Sequence, residues 1–323
     1  MLFITNRLPK NNCEPALNLD FQFDLENNAA GKSVFFCERL KGKNIELGSQ
    51  RFLTQVKQSA FRQVLIYIHG FANLPDDVFA ATEELQTLCD QTKAGEVLVI
   101  PLIWPCDNDF GIIKDYWDDQ KSADQSAFAF SRVMQKFLAW RNSETLNPSD
   151  DPCLKRINLL SHSMGNRVLR ETLAAWQRYD QPHGLPLLFR NTFMVAADVV
   201  NETLQKGEPG ELISHASRNV VTYYASDDLA LRASKVSNLK NGEASRRLGH
   251  SGPENMELVP GNVFALDCDD VNTRYDYPKG HSYFRYAPKR RPGVVFKHIF
   301  QTILTGRPFP DDQAQRRQVL RDG

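Results

Sequence analysis

The sequence predicts an α/β fold with a mostly parallel central sheet and helices on both of its faces. Short apolar runs recur along the chain, they are nearly continuous rather than alternating, and helical patterns fall between them. A strand with one wet face alternates apolar and polar side chains, whereas a strand covered on both faces reads as an unbroken apolar run, the habit of parallel sheets. Strand and helix in alternation build such a sheet.

Within the first 60 residues, MLFITNR and SVFFCERL read as two flanking strands joined by the polar stretch Leu8 to Lys32. VLIYI (Val64 to Ile68) is the next strand. Pro75 then suits the first turn of a helix, where a missing N–H costs nothing, and Val78, Ala81, Leu85 and Leu88 follow at helical spacing. VLVIPLIW (Val97 to Trp104) precedes a second helical stripe, Ala127, Phe130, Met134, Phe137 and Leu138, which ends near Trp140 and reads as core packing. INLL (Ile157 to Leu160), FMVAA (Phe193 to Ala197), VVTYYA (Val220 to Ala225) and VFAL (Val263 to Leu266) complete the strands. Residues 232–261, rich in Gly, Ser, Asn and Arg, read as a long loop or lid. VVFKHIFQTIL (Val294 to Leu304) closes the fold as an amphipathic helix. The expectation is one domain over residues 1–308 and a solvated C-terminal tail over 309–323.

A chain of 323 residues with 41% hydrophobic and 24% charged residues has the material for one sheet and its covering helices. Its 39 basic and 39 acidic residues cancel, which gives no reason to expect nucleic acid as a partner. No apolar run approaches the roughly 20 residues of a membrane-spanning helix. The start lacks a basic leader and an apolar core of secretory length, so a cytoplasmic location is expected. Cys13, Cys37, Cys89, Cys106, Cys153 and Cys268 are scattered with no CxxC pair, which favours free thiols over a disulfide frame or a zinc site. There is no internal repeat, and the sequence carries no signal for oligomeric state.

The chemistry centres on SHSMG, Ser161 to Gly165, where an apolar run gives way to a helical pattern. A strand, a sharp turn and a helix around G-x-S-x-G form a nucleophile elbow, with the serine in a strained conformation between small residues. Ser161 stands where glycine is usual, and Gly165 keeps the pattern. Ser163 is therefore the expected nucleophile, its hydroxyl above the carboxyl edge of the sheet and near free N–H groups at a helix start. The Met164 N–H becomes an oxyanion donor. A second is expected from YIHGFAN, where a strand runs into His69, Gly70 and Phe71 and the Phe71 N–H can turn toward the same oxygen; such donors are each worth roughly 3 kcal/mol in the transition state. His69 itself is expected to be structural.

A serine hydroxyl needs an imidazole to take its proton and a carboxylate to orient that imidazole, and behind an elbow of this kind the chain order is Ser, Asp or Glu, His. VVTYYA ends in Ser226, Asp227 and Asp228. Asp228 is preferred as the acid, with Asp227 and Asp198, which ends FMVAAD, as alternatives. Of the histidines beyond Asp228, His298 lies in the closing helix and His250 lies early, in the long loop. His281, in YPKGHSYF, is the expected base. Asp267, Asp269, Asp270 and Asp276 lack the glycine and terminal glutamate of an EF-hand loop, so no metal and no cofactor are expected.

Taken together, FITNR, YIHGFAN, IWP, KDYWDDQKSADQSA, LLSHSMGNRVL, AADV, YYASDDLALRAS and GHSYF resemble the α/β-hydrolase superfamily and, more narrowly, its bacterial family of alpha/beta hydrolases of unknown function. These motifs span most of the chain from Phe3 to Phe284. The resemblance implies the α/β-hydrolase fold and a DUF-type serine hydrolase. Its S-x-D-x-A-L aspartate and H-S-Y histidine fall on Asp228 and His281. The expected activity is cleavage of a small-molecule carboxylic ester through an acyl-enzyme, with thioester or amide cleavage open. The alternatives are a non-catalytic binding module that uses the loop at 232–261, or a lipase at a membrane surface with VVFKHIFQTIL as an interfacial helix.

Overall fold

The computed structural model describes residues 1–10, 16–106, 112–146, 155–232, 246–310 and 315–322. They divide into two compact units, Met1–Ile157 with Glu171–Gly184, and Asn158–Arg170 with Leu185–Gly323. Cys13 and Cys153 lie outside the described residues, as does the 233–245 part of the expected loop.

The first unit contains β1 (Leu2–Arg7), β2 (Asp20–Phe21), β3 (Ala30–Leu40), β4 (Lys43–Glu46), α1 (Gly48–Gln58), β5 (Gln63–Ile68), α2 (Pro75–Lys93), β6 (Val97–Ile103) and α3 (Ile112–Leu146). β5 pairs with β6 and β6 with β1, both parallel, while β3 joins β1, and β4 and β2 follow, in antiparallel register. Every residue of β5 is buried, which is what its unbroken apolar run requires. β3 and β4 form a hairpin whose Lys41 and Gly42 both have positive φ, 50° and 79°, the twist a tight two-residue turn needs. The first 60 residues thus hold β2, β4 and α1 besides the two strands expected. β2 and β4 are short and polar and carry no strong periodic signal, whereas α1 is an amphipathic helix whose Phe52, Leu53 and Val56 fall on one buried face. In α3, Ala127, Phe130, Met134 and Phe137 are buried, as a core-facing stripe should be.

The second unit contains β7 (Arg156–His162, from Asn158 onward), the start of α4 (Gly165–Tyr179), β8 (Phe189–Val195), α5 (Glu211–His215), β9 (Ser217–Tyr224), α6 (Leu248–Ser251), β10 (Val263–Asp267), α7 (Asn272–Tyr275), β11 (Tyr286–Ala287), β12 (Arg291–Pro292), α8 (Val294–Thr305) and β13 (Arg317–Val319). Its strands run β7-β8-β9-β10-β13, all parallel. The expected solvated tail therefore differs at its end: Arg317, Gln318 and Val319 pair with Ala265, Leu266 and Asp267. Backbone hydrogen bonding with an edge strand needs no apolar side chain, so a polar stretch can supply the last strand.

A row of asparagines fixes the register of three of these strands. Asn191 Nδ2 donates to Asn158 Oδ1 at 2.8 Å, Asn219 Nδ2 donates to Asn191 Oδ1 at 2.8 Å, and Asn219 Nδ2 also reaches Gly306 O at 2.9 Å. All three side chains are buried, and slipping one strand by a residue would orphan the amides. α8 buries Val295, Phe296, Ile299, Phe300 and Ile303 and ends at Gly306, whose φ of 72° is the left-handed cap conformation. The apolar side of α8 is thus packed inside the protein, with Val294 and Leu304 half-buried.

Candidate active site

Ser163 follows β7 and precedes α4 with φ of 53°, a left-handed conformation that is uncommon outside glycine. The surroundings hold it there. Ser163 N–H donates to Val195 O at 3.0 Å, while Ser163 O accepts from Asn166 N at 3.1 Å and Asp198 N at 3.2 Å. The fully buried Asn166 adds its amide, which donates to Ser161 O and Ser163 O, each at 3.1 Å. Asn166 is thus a brace for the turn that pattern matching on Ser163 does not reveal. The Met164 N–H, at the start of α4, donates to no group among the described residues.

Asp228 follows β9 and is fully buried; its Oδ2 accepts from His281 Nδ1 at 2.7 Å, and its Oδ1 accepts from Leu231 N at 3.0 Å. The carboxylate is sealed from solvent, whereas the imidazole keeps 14% of its surface open. A carboxylate at Nδ1 places the second proton site at Nε2, on the open side of the ring. Burial lowers the pKa of His281, but the charge of Asp228 and its hydrogen bond, with smaller pulls from Asp198 and Asp276, outweigh that and hold it above the ordinary 6.5.

The other carboxylates are engaged elsewhere. Asp198 Oδ1 lies 3.3 Å from Arg247 Nε, both side chains being buried. Asp227 Oδ1 accepts from Asn272 Nδ2. Asp276 Oδ2 accepts the backbone N–H groups of His281 and Ser282 at 2.8 and 2.7 Å, so it shapes the loop that carries the imidazole. Asp269 holds Ser226 through N–H and Oγ at 2.6 and 2.7 Å, and Asp267 accepts from the Asp269 N–H. His162, next to Ser163 in the chain, has its ring 4.8 Å from that of His281 and donates from Nε2 to His281 O at 3.1 Å. Ser163 Oγ and His281 are not hydrogen-bonded to each other.

The remaining histidines after Asp228 have other roles. His298 is bridged by Tyr223 Oη and Pro308 O, each at 2.8 Å, and burial lowers its pKa to about 4. His250 lies in α6.

In the first unit, His69 is fully buried and stacked on Trp104, with ring centroids 5.2 Å apart. Its Nε2 accepts from Trp104 N–H at 3.1 Å and its Nδ1 faces Gly70 O at 2.9 Å, which fixes a neutral ring with the proton on Nδ1. Burial lowers its pKa to about 4. His69 is a structural residue that ties the end of β5 to that of β6. Asn73 Nδ2 donates to Gly70 O at 3.0 Å and Phe71 O at 2.7 Å, and the Phe71 ring meets Tyr116 edge to face at 5.7 Å.

The parallel strands with intervening helices, and a strained serine between strand and helix, define an α/β hydrolase. The chain belongs to the family described as alpha/beta hydrolase of unknown function (DUF900), whose model matches residues 46–288. No curated protein matches. Among solved structures, phospholipase PlaB from Legionella pneumophila in complex with thio-NAD is similar at 14% identity and a TM-score of 0.26 over 67% of this chain and 39% of that one. The Tle1 effector bound to the VgrG spike of the Type 6 secretion system is similar at 12% identity and a TM-score of 0.25 over 52% of this chain and 46% of that one. The chain spans less than half the length of either. Among the described residues, no helix is long and apolar enough to cross a membrane.

Proposed function

We propose that the protein is a serine hydrolase that cleaves a small-molecule carboxylic ester, with Ser163 as nucleophile, His281 as general base and acid, and Asp228 as the residue that orients the imidazole. The observation that carries this reading is the 2.7 Å contact between buried Asp228 and partly open His281. It fixes the tautomer that leaves Nε2 free to accept a proton. His281 takes the Ser163 hydroxyl proton as Oγ attacks the ester carbonyl, and Asp228 stabilises the imidazolium that results. The tetrahedral oxyanion is met by the Met164 N–H, which has no competing acceptor among the described residues. Collapse expels the alcohol with the proton from His281, and water, deprotonated by the same ring, releases the acid. An ester is favoured over an amide because its leaving group departs more easily.

A fluorophosphonate probe tests the reading. It should label the wild type and leave Ser163→Ala unlabelled; labelling that survives the substitution removes Ser163 from the role.

A further inference from the structure

Beside the proposed triad lies a pocket of about 390 Å³ lined by Leu231, Arg232, Arg246, Arg247 and His250. Its size is that of a small-ligand site. Two of its walls are tied to the proposed chemistry: the Leu231 N–H caps Asp228 at 3.0 Å, and Arg247 pairs with Asp198, whose own N–H donates to Ser163 O at 3.2 Å.

Among the described residues, the lining contains three guanidinium groups and no carboxylate. Asp198 offsets Arg247 from behind. Arg232 donates to Ser226 O at 2.9 Å, a neutral acceptor, and Arg246 makes no ion pair among the described residues. Glu202 and Glu254 line a neighbouring cleft that shares Arg246, but they do not line this one. In a chain whose charges cancel at 39 of each sign, this concentration is a local feature and not a sample of a basic surface. Guanidinium groups present paired donors that match the oxygens of a carboxylate or phosphate.

We infer that the ester hydrolysed at Ser163 carries a negatively charged carboxylate or phosphate group, which Arg232, Arg246 and Arg247 bind in this pocket. The inference rests on the serine-hydrolase reading and narrows its substrate class. Attraction to fixed arginines acts in the bound substrate and the transition state alike, so it lowers KM more than it raises kcat.

The test measures kcat/KM for matched ester pairs. The 4-methylumbelliferyl monoester of glutaric acid is compared with the neutral pentanoate, placing the charge on the acyl side. Acetyl glycerol phosphate is compared with monoacetyl glycerol, placing it on the alcohol side. At least one charged ester should exceed its neutral partner about tenfold or more, mainly through KM, and the ratio should fall toward one in Arg246→Gln and as salt is raised. Arg232→Gln, at an exposed position, gives a second variant should the first fold poorly. Neutral esters favoured in both pairs, or a preference that survives both variants, overturns the inference while leaving the triad standing. No fluorophosphonate labelling of Ser163 in the wild type overturns the serine-hydrolase reading instead.

Discussion

Ser163 is held by its neighbours and not by its own preferences. A serine with φ of 53° costs of order 1–3 kcal/mol, and the hydrogen bonds from Asn166 and Asp198 to its carbonyl oppose relaxation. The small residues flanking it were legible in the sequence, but the Asn166 brace depends on a side chain folding back over the turn, which no spacing rule encodes. His281 and Asp228 show the same division. Chain order and strand ends brought the residues into view, yet three carboxylates stood open, and geometry alone gives Asp228 the imidazole, Asp198 an arginine and Asp227 an asparagine. With the pKa of His281 raised, the neutral base forms only as pH climbs through a value above 6.5, so kcat/KM should rise there. In Asp228→Asn the two largest causes that raise it are lost, leaving burial opposed only by the smaller pulls of Asp198 and Asp276, so the inflection should move to lower pH while kcat falls by about 10³ to 10⁴, as on loss of a triad carboxylate. A pH–rate profile of both proteins checks the sign, and an unchanged inflection would sink the assignment.

At the scale of elements, polar side chains and bare backbone do as much positioning as apolar ones. The asparagine row across β7, β8 and β9 lies in the register Asn158↔Asn191↔Asn219. Asn191→Ala should therefore leave buried Asn158 Oδ1 without its donor and cost about 1–3 kcal/mol, the penalty of a buried acceptor left unsatisfied. Urea denaturation with an unchanged m value reads that loss. α6 presses its backbone on the end of β8: a Cβ at Gly249 would meet Ala196 C and Ala197 N, while the Gly249 N–H donates to Ala197 O at 2.9 Å. Gly249→Ala should then destabilise by at least about 1–3 kcal/mol, since packed backbone yields poorly, and a thermal melt unchanged from the wild type would contradict this. The six apolar runs between Val64 and Leu266 were readable as strands because double-sided burial leaves them few polar positions. β2, β4 and β13 were not, because an edge or hairpin strand is specified by backbone partners and by turns such as Lys41 and Gly42.

For the whole molecule, equal numbers of acidic and basic residues and an isoelectric point near 7.0 leave little net repulsion between copies at neutral pH. Solubility should pass through a minimum near pH 7 and improve one or two units to either side, as a precipitation series would show. The family's match over residues 46–288 accords with motifs that lie in order along the chain. By itself, the amino-acid sequence determined the central strands, the principal helices and a short set of candidate residues for the proposed acyl-transfer chemistry, because burial periodicity and strained-turn requirements are local properties. Which carboxylate meets the imidazole, what braces the serine and where the arginines gather were decided only in three dimensions. Most of those relations join residues far apart in the chain, and hydrogen-bond geometry selects among partners that composition treats as equal.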